Sequence, residues 1–181
     1  MSGIDADVLH ALYALRDPSA VQTFIWITEL GGTVLVGGIA LALGLYFLLC
    51  KRFSSLTGLV ASIAGTAAVV FLLKEIIARA RPDVFYQAYF EDGFSFPSGH
   101  AAMSLALYGF LAYLAWKNLP RKQSIVIIVL AIALTGLIGL SRLYLGLHFL
   151  SDVLGGYAIA ALFLGLGIWV SERLSRHSIW S

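Results

Sequence analysis

The sequence specifies an all-α protein: a polytopic transmembrane helical bundle of about five spans, with an interfacial helix at its amino terminus. Composition, the length of the apolar runs and the brevity of the connections each lead there. Hydrophobic residues make up 60% of the 181-residue chain and charged residues 12%, and mean hydropathy is +0.89, far above what a soluble core of this size requires. Five apolar runs stand out: Leu30 to Cys50, Leu56 to Leu73, Ala101 to Trp116, Ile125 to Leu140, and Val153 to Val170. Several fall short of the roughly 20 residues that a bilayer core asks of a helix, but each can gain a turn from its polar flank. The links Lys51 to Ser55, Lys117 to Ser124 and Ser141 to Asp152 are short, so sequential helices are expected to be antiparallel neighbours. Only residues 82–97 form a longer loop.

Residues 1–20 carry Asp5, Asp7 and Asp17 where a secretory signal would place a basic head and an apolar run. They are expected to form an interfacial amphipathic segment. Asp5 would cap a short helix that turns Val8, Leu9, Leu12, Tyr13 and Leu15 to the lipid headgroups, and Asp17-Pro18 would end it. His10 has no companion and is assigned to the surface. Residues 21–176 then form the membrane-embedded domain. Cys50, the single cysteine, excludes an internal disulfide and a thiolate cluster.

Lys51, Arg52, Lys117, Arg121, Lys122, Arg173 and Arg176 fall at one end of the predicted bundle with Glu172 as the lone acid. The positive-inside rule makes that end cytoplasmic, which implies a multi-pass protein of the cell inner (plasma) membrane with the opposite end facing the periplasm or outside. A net charge of +2 without a basic stripe excludes nucleic acid as a partner. The glycines, among them Gly136, Gly139, Gly155 and Gly156, are assigned to close helix contacts, because no strand precedes them and no Walker-type lysine follows.

Three polar islands sit at the outward ends of the spans. Lys74 and Arg81 are seven residues apart, two helical turns, and would face one anion if the second span continued to Pro82. Arg79 between them is expected to be a boundary cation of little consequence. Pro97-Ser98-Gly99-His100 precedes the third apolar run: Ser98 is a good N-cap, Gly99 admits a ligand close to the backbone, and His100 projects from the first turn. His148 and Asp152 are four apart, so on one helix they share a face, and the carboxylate can orient the imidazole. Arg142 is off that face, but Gly146 permits a break that swings both residues toward one centre.

In order and spacing, Lys74-x6-Arg81-Pro82, Pro97-Ser98-Gly99-His100 and Ser141-Arg142-x5-His148-x3-Asp152 resemble the tripartite signature of the type 2 phosphatidic acid phosphatase family. The resemblance covers residues from about 20 to 172. It implies His148 as a nucleophile forming a phosphohistidine, Asp152 orienting it and His100 protonating the leaving group. It also implies Lys74, Arg81, Ser98, Gly99 and Arg142 as phosphate ligands, with no metal and no cofactor. The substrate class it implies is a lipid phosphate: undecaprenyl diphosphate first, then phosphatidylglycerol phosphate, phosphatidic acid or lipid A phosphate. The aromatic stretch of Phe85, Tyr86, Tyr89, Phe90, Phe94 and Phe96 is expected as an interfacial belt or, second, a lid at the lipid entry, with Asp83, Glu91 and Asp92 tuning access. Family members commonly have six helices, so five spans imply a shorter form, or one completed by a fused or associated helix or a homo-oligomer. A phosphotransferase and a non-catalytic lipid transporter are the competing readings. Vanadium haloperoxidases share the cradle but are soluble.

Overall fold

The computed structural model describes residues 3–177. Seven α-helices run in order: α1 Ile4–Ala14, α2 Pro18–Glu29, α3 Thr33–Leu49, α4 Phe53–Ile77, α5 Gly99–Asn118, α6 Arg121–Tyr144 and α7 Leu150–His177. A single short 3-10 turn, Val84–Tyr86, interrupts the loop between α4 and α5. The five predicted apolar runs fall on α3 to α7. Four segments are long and apolar enough to cross a membrane: Pro18–Leu49, Phe53–Ile77, Arg121–Tyr144 and Leu150–Arg176. The remaining run, the third, lies on α5 and is less apolar because this is the central helix. Ala101, Ala102, Ala106, Leu107 and Phe110 on it are buried against other helices, so it owes less of its surface to lipid.

The amino-terminal region departs from expectation. Asp17 ends nothing: its carboxylate accepts the Ser19 N–H at 2.8 Å and caps α2, whose first residue is Pro18. Proline suits that position because its missing N–H has no helical partner there in any case. Asp5 is not a cap either, since the N-cap of α1 is Gly3. Leu9 is buried and Leu12 packs on the Ala101, Leu143 and Val153 cluster, so part of the face predicted to meet headgroups meets the bundle instead. Met1 and Ser2 of the predicted interfacial segment lie outside the described residues. His10 is exposed, as assigned, with its ring 5.4 Å from that of Tyr86.

Small residues set the helix spacing. A Cβ on Gly58 of α4 would stand 2.6 Å from the Gly167 carbonyl oxygen of α7, and one on Gly167 would stand 2.5 Å from that of Gly58. The two backbones therefore touch, which only glycine permits. Ser62 of α4 donates to the Ala106 carbonyl of α5 at 3.2 Å, and Ser124 of α6 to the Ala115 carbonyl of α5 at 2.9 Å. Consecutive helices are not always neighbours: α5 separates α6 from α7 along most of their length, and those two meet mainly where Tyr157 donates to the Thr135 carbonyl at 2.6 Å. Gly139 packs against Tyr157, whereas Gly136 faces open space. Alternation of direction brings the carboxyl ends of α4 and α6 and the amino ends of α5 and α7 to one end of the bundle. At the other end Lys117 pairs with Glu172 at 2.9 Å.

Gly167→Ala should lower the thermal midpoint of the detergent-solubilised protein by several degrees, since overpacking costs about 1–3 kcal/mol. Gly165→Ala, two residues earlier on a surface with nothing within 4 Å, should leave it level or slightly raised; equal effects would mean that the α4–α7 backbone contact does not set the packing.

Candidate active site

Two backbone breaks build the site. The helix α4 stops at Ile77, and Ala78 adopts the left-handed conformation at φ 46° and ψ 39°, donating its N–H to the Lys74 carbonyl at 2.9 Å. Lys74 is therefore on the helix and Arg81 beyond it, not two turns along one continuous span as the spacing suggested. The second break closes α6. Leu147 N–H bonds back to the Arg142 carbonyl at 3.1 Å and Gly146 N–H to that of Leu143 at 3.0 Å, with Gly146 at φ +70°. This is a Schellman stop with glycine in the left-handed position. It also seats the corner under the loop, because a Cβ on Gly146 would lie 2.0 Å from the Tyr86 carbonyl oxygen. His148 follows in the corner, before α7 begins at Leu150, and not on the helix with Asp152.

The corner brings His148 to the cations. Arg81 Nη1 lies 3.2 Å from His148 Nε2 and donates to the Leu147 carbonyl at 2.9 Å. On the other side of the ring, Nδ1 faces Asp152 Oδ2 at 3.5 Å, and that oxygen accepts the Phe149 N–H at 2.8 Å. Burial, and then the charges of Arg142 and Arg81, hold the imidazolium form of His148 far below its ordinary range. The neutral ring is the favoured form at neutral pH, which leaves one of its nitrogens a lone pair.

Arg142 has no exposed surface. Its guanidinium donates to Thr28 Oγ1 at 3.2 Å, to the Tyr89 hydroxyl at 3.1 Å and to Glu91 Oε2. Glu91 joins the two arginines, its other oxygen accepting from Arg81 Nη2 at 2.8 Å. Burial alone would raise the Glu91 carboxyl, but the charge and hydrogen bond of Arg142, then the charge of Arg81, overcome it and bring it down to about 2. Lys74 Nζ donates to the Phe94 carbonyl.

A cavity of about 380 Å³ is lined by Lys74, Arg81, Glu91, Gly99, His100 and His148, and continues along Thr33, Ala67, Val70, Phe71 and Met103. The predicted residues on its wall thus include Lys74, Arg81, Gly99, His100 and His148. Arg142 and Asp152 lie behind them. Ser98 occupies the N-cap position of α5, but its hydroxyl makes no capping bond. Among the described residues the Ser98 hydroxyl, Arg142 Nε and His148 Nδ1 are buried and have no hydrogen-bond partner, which leaves the first two as donors for an anion. Among the described residues no cluster of three or more His, Cys, Asp or Glu has the arrangement of a metal site.

Arg79 is not the unpartnered boundary cation that its place in the sequence suggests. It donates to Asp152 Oδ1 at 2.6 Å, to Ser151 Oγ at 2.7 Å and to Asp5 Oδ2 at 2.8 Å, so it is tied to the carboxylate behind His148. Thr28, Tyr89 and Asp5 were also not singled out as site residues. Nothing in their local sequence marks them, since each acts across a long stretch of chain.

A sequence profile described as the PAP2 superfamily matches residues 55–176. Phosphatidylglycerophosphatase B of Bacillus subtilis (strain 168) is 33% identical over 176 residues, 95% of this chain and 85% of its own. Phosphatidylglycerophosphatase B of Escherichia coli (strain K12) is 36% identical over 85 residues, 46% of this chain and 32% of its own. Among solved structures, the first transmembrane PAP2 type phosphatidylglycerolphosphate phosphatase from Bacillus subtilis superposes with a TM-score of 0.84 at 32% identity, covering 93% of this chain and 85% of that one. LpxE of Aquifex aeolicus shares the fold, with a TM-score of 0.69 at 22% identity over 92% of this chain and 96% of that one.

The Glu91 carboxyl is held below its ordinary value of 4.5, so the stability it contributes is complete above that pH and is lost as pH falls toward 2. The thermal midpoint in detergent should begin to fall below about pH 6.5, where the unfolded chain takes up a proton on His148 that the folded protein refuses, and fall further below about pH 4 as Glu91 is titrated. Glu91→Gln should remove part of that acid-induced fall; a variant retaining all of it would place the acid lability elsewhere.

Proposed function

Because this chain belongs to the PAP2 superfamily as a membrane-embedded lipid phosphatase, we propose that it hydrolyses a lipid phosphomonoester through a phosphohistidine on His148. The observation that carries this reading is the placement of His148 Nε2 beside Arg81, at the polar end of a cavity whose other end is apolar. Ala67 and Phe71 on that apolar stretch are exposed on the outer face of α4. A phosphate can therefore enter the cradle while its tail stays in the hydrocarbon.

In the first step Nε2 attacks phosphorus and the bond to the lipid oxygen breaks. His100, neutral beside the cations of the free protein, takes up a proton as the anionic phosphate binds, gives it to the departing alkoxide, and takes one back from the water that cleaves the phosphohistidine. Asp152, facing Nδ1, keeps the proton on that nitrogen, so that Nε2, which Arg81 approaches in the free protein, presents its lone pair once that guanidinium turns to the phosphate. Lys74, Arg81, Arg142, the Ser98 hydroxyl and the Gly99 backbone bind the non-bridging oxygens, so that positioning and charge do the work without a metal. Phosphatidylglycerol phosphate ranks first among the substrates, because the relatives that match over most of this chain carry that activity in their names. This ordering replaces undecaprenyl diphosphate as the leading candidate. The cation-rich end of the bundle is proposed to face the cytoplasm of an inner (plasma) membrane and the site to face outward.

The purified protein should release inorganic phosphate from short-chain phosphatidylglycerol phosphate or phosphatidic acid with chelator present, and vanadate should inhibit it. His148→Ala should reduce turnover by roughly a thousandfold or more. Loss of activity on chelation would overturn the metal-free mechanism. Orientation is checked by labelling intact cells with a membrane-impermeant thiol reagent. Asp92→Cys in the loop should label, whereas the native Cys50 should label only after permeabilisation; the reverse pattern would invert the topology.

A further inference from the structure

The helix α1 lines no part of the cavity, yet its Asp5 is built into the support of the nucleophile. Asp5 Oδ1 accepts the Ser151 N–H at 2.9 Å, and Oδ2 accepts the Ser151 hydroxyl at 2.5 Å and Arg79 Nη2 at 2.8 Å. The other nitrogen, Arg79 Nη1, donates to Asp152 Oδ1 at 2.6 Å. Asp152 Oδ2 in turn accepts from Phe149 N–H and faces His148 Nδ1. Two anchors thus fix the two oxygens of Asp152, and among the described residues Arg79 is the only side chain hydrogen-bonded to Oδ1.

Arg79 and Asp5 are each 29% exposed, whereas Asp152 is 0%. A guanidinium at the water boundary has enough freedom to leave a single carboxylate. With Asp5 on one fork, Ser151 between, and the Phe149 ring 4.3 Å beneath, Arg79 is fixed in one orientation. Asp5 also lies at the amino terminus of α7, where a carboxylate is favoured by the exposed N–H groups.

We infer that Asp5 is a positioning residue for the reaction: through Arg79 and Ser151 it locks the Asp152 carboxylate against His148, so that α1 is a working part of the active site. The inference rests on the phosphatase reading above. Its reach is on kcat, because the chain of contacts ends on the nucleophile and not on the phosphate ligands.

The test is steady-state kinetics of the full chain in detergent on short-chain phosphatidic acid, for Asp5→Asn, Arg79→Ala, the double variant and Asp7→Asn. Asp7 is an exposed acid on the same helix and serves as the control. Asp5→Asn should lower kcat by about tenfold, the scale of losses when a supporting partner is removed, with KM changed less than about twofold. The double variant should be no worse than Arg79→Ala alone, since the two residues act as one unit. Asp7→Asn should match wild type. Multiplying losses in the double variant, or an Asp5→Asn defect confined to KM or to the yield of monodisperse protein, would mean that Asp5 merely holds α1 in place and would overturn the inference. An Asp5→Asn enzyme as fast as wild type would overturn it too while leaving the phosphatase reading intact. A wild-type protein inactive on phosphatidic acid and phosphatidylglycerol phosphate alike would overturn both.

Discussion

A guanidinium with no access to water needs close partners, and Arg142, whose two Nη atoms are paired while its Nε is not, is that group here. Its partners come from α2 through Thr28 and from the α4–α5 loop through Tyr89 and Glu91. Leaving such a charge unpaired would cost several kcal/mol, so the buried cation dictates where α2 and the loop must lie. The loop is further stitched down by Ala88 N–H to the Leu145 carbonyl at 2.9 Å and Ser98 N–H to the Asp152 carbonyl at 3.0 Å. The outer wall of the site is thus organised from its most buried charge outward.

Electrostatics at the centre is a matter of like charges held together. Lys74, Arg81 and Arg142 repel one another, and Glu91 between the arginines offsets part of that repulsion in the free protein. It does so without filling the cavity, and it holds both guanidinium groups in place before any ligand arrives. Preorganised charge of this kind needs little rearrangement at the moment of reaction.

Much of this was legible in the chain. The apolar runs located α3 to α7, and Gly146 marked the stop that lets Arg142 and His148 converge. The polar islands fell at the span ends because antiparallel helices deliver alternate ends to one surface. What stayed hidden depends on tertiary contact. Nothing local in Lys-Glu-Ile-Ile-Ala-Arg shows that Ala78 turns left-handed, so the two-turn spacing of Lys74 and Arg81 suggested a continuous helix. Arg79 looked like any boundary cation because its partners are more than seventy residues away on either side. Asp17-Pro18 ended one helix in the sequence reading and begins another in the structure; the same pair supports both, and only packing decides.

The lateral opening of the cavity along Ala67 and Phe71 has a consequence for selectivity. If, as proposed, the tail of a lipid phosphate stays in the bilayer throughout, it interacts equally with its surroundings before and during bond breaking, so its length and branching would add little to rate. Discrimination then falls on how deep a phosphorus atom rides beneath the membrane surface and on what is attached to it.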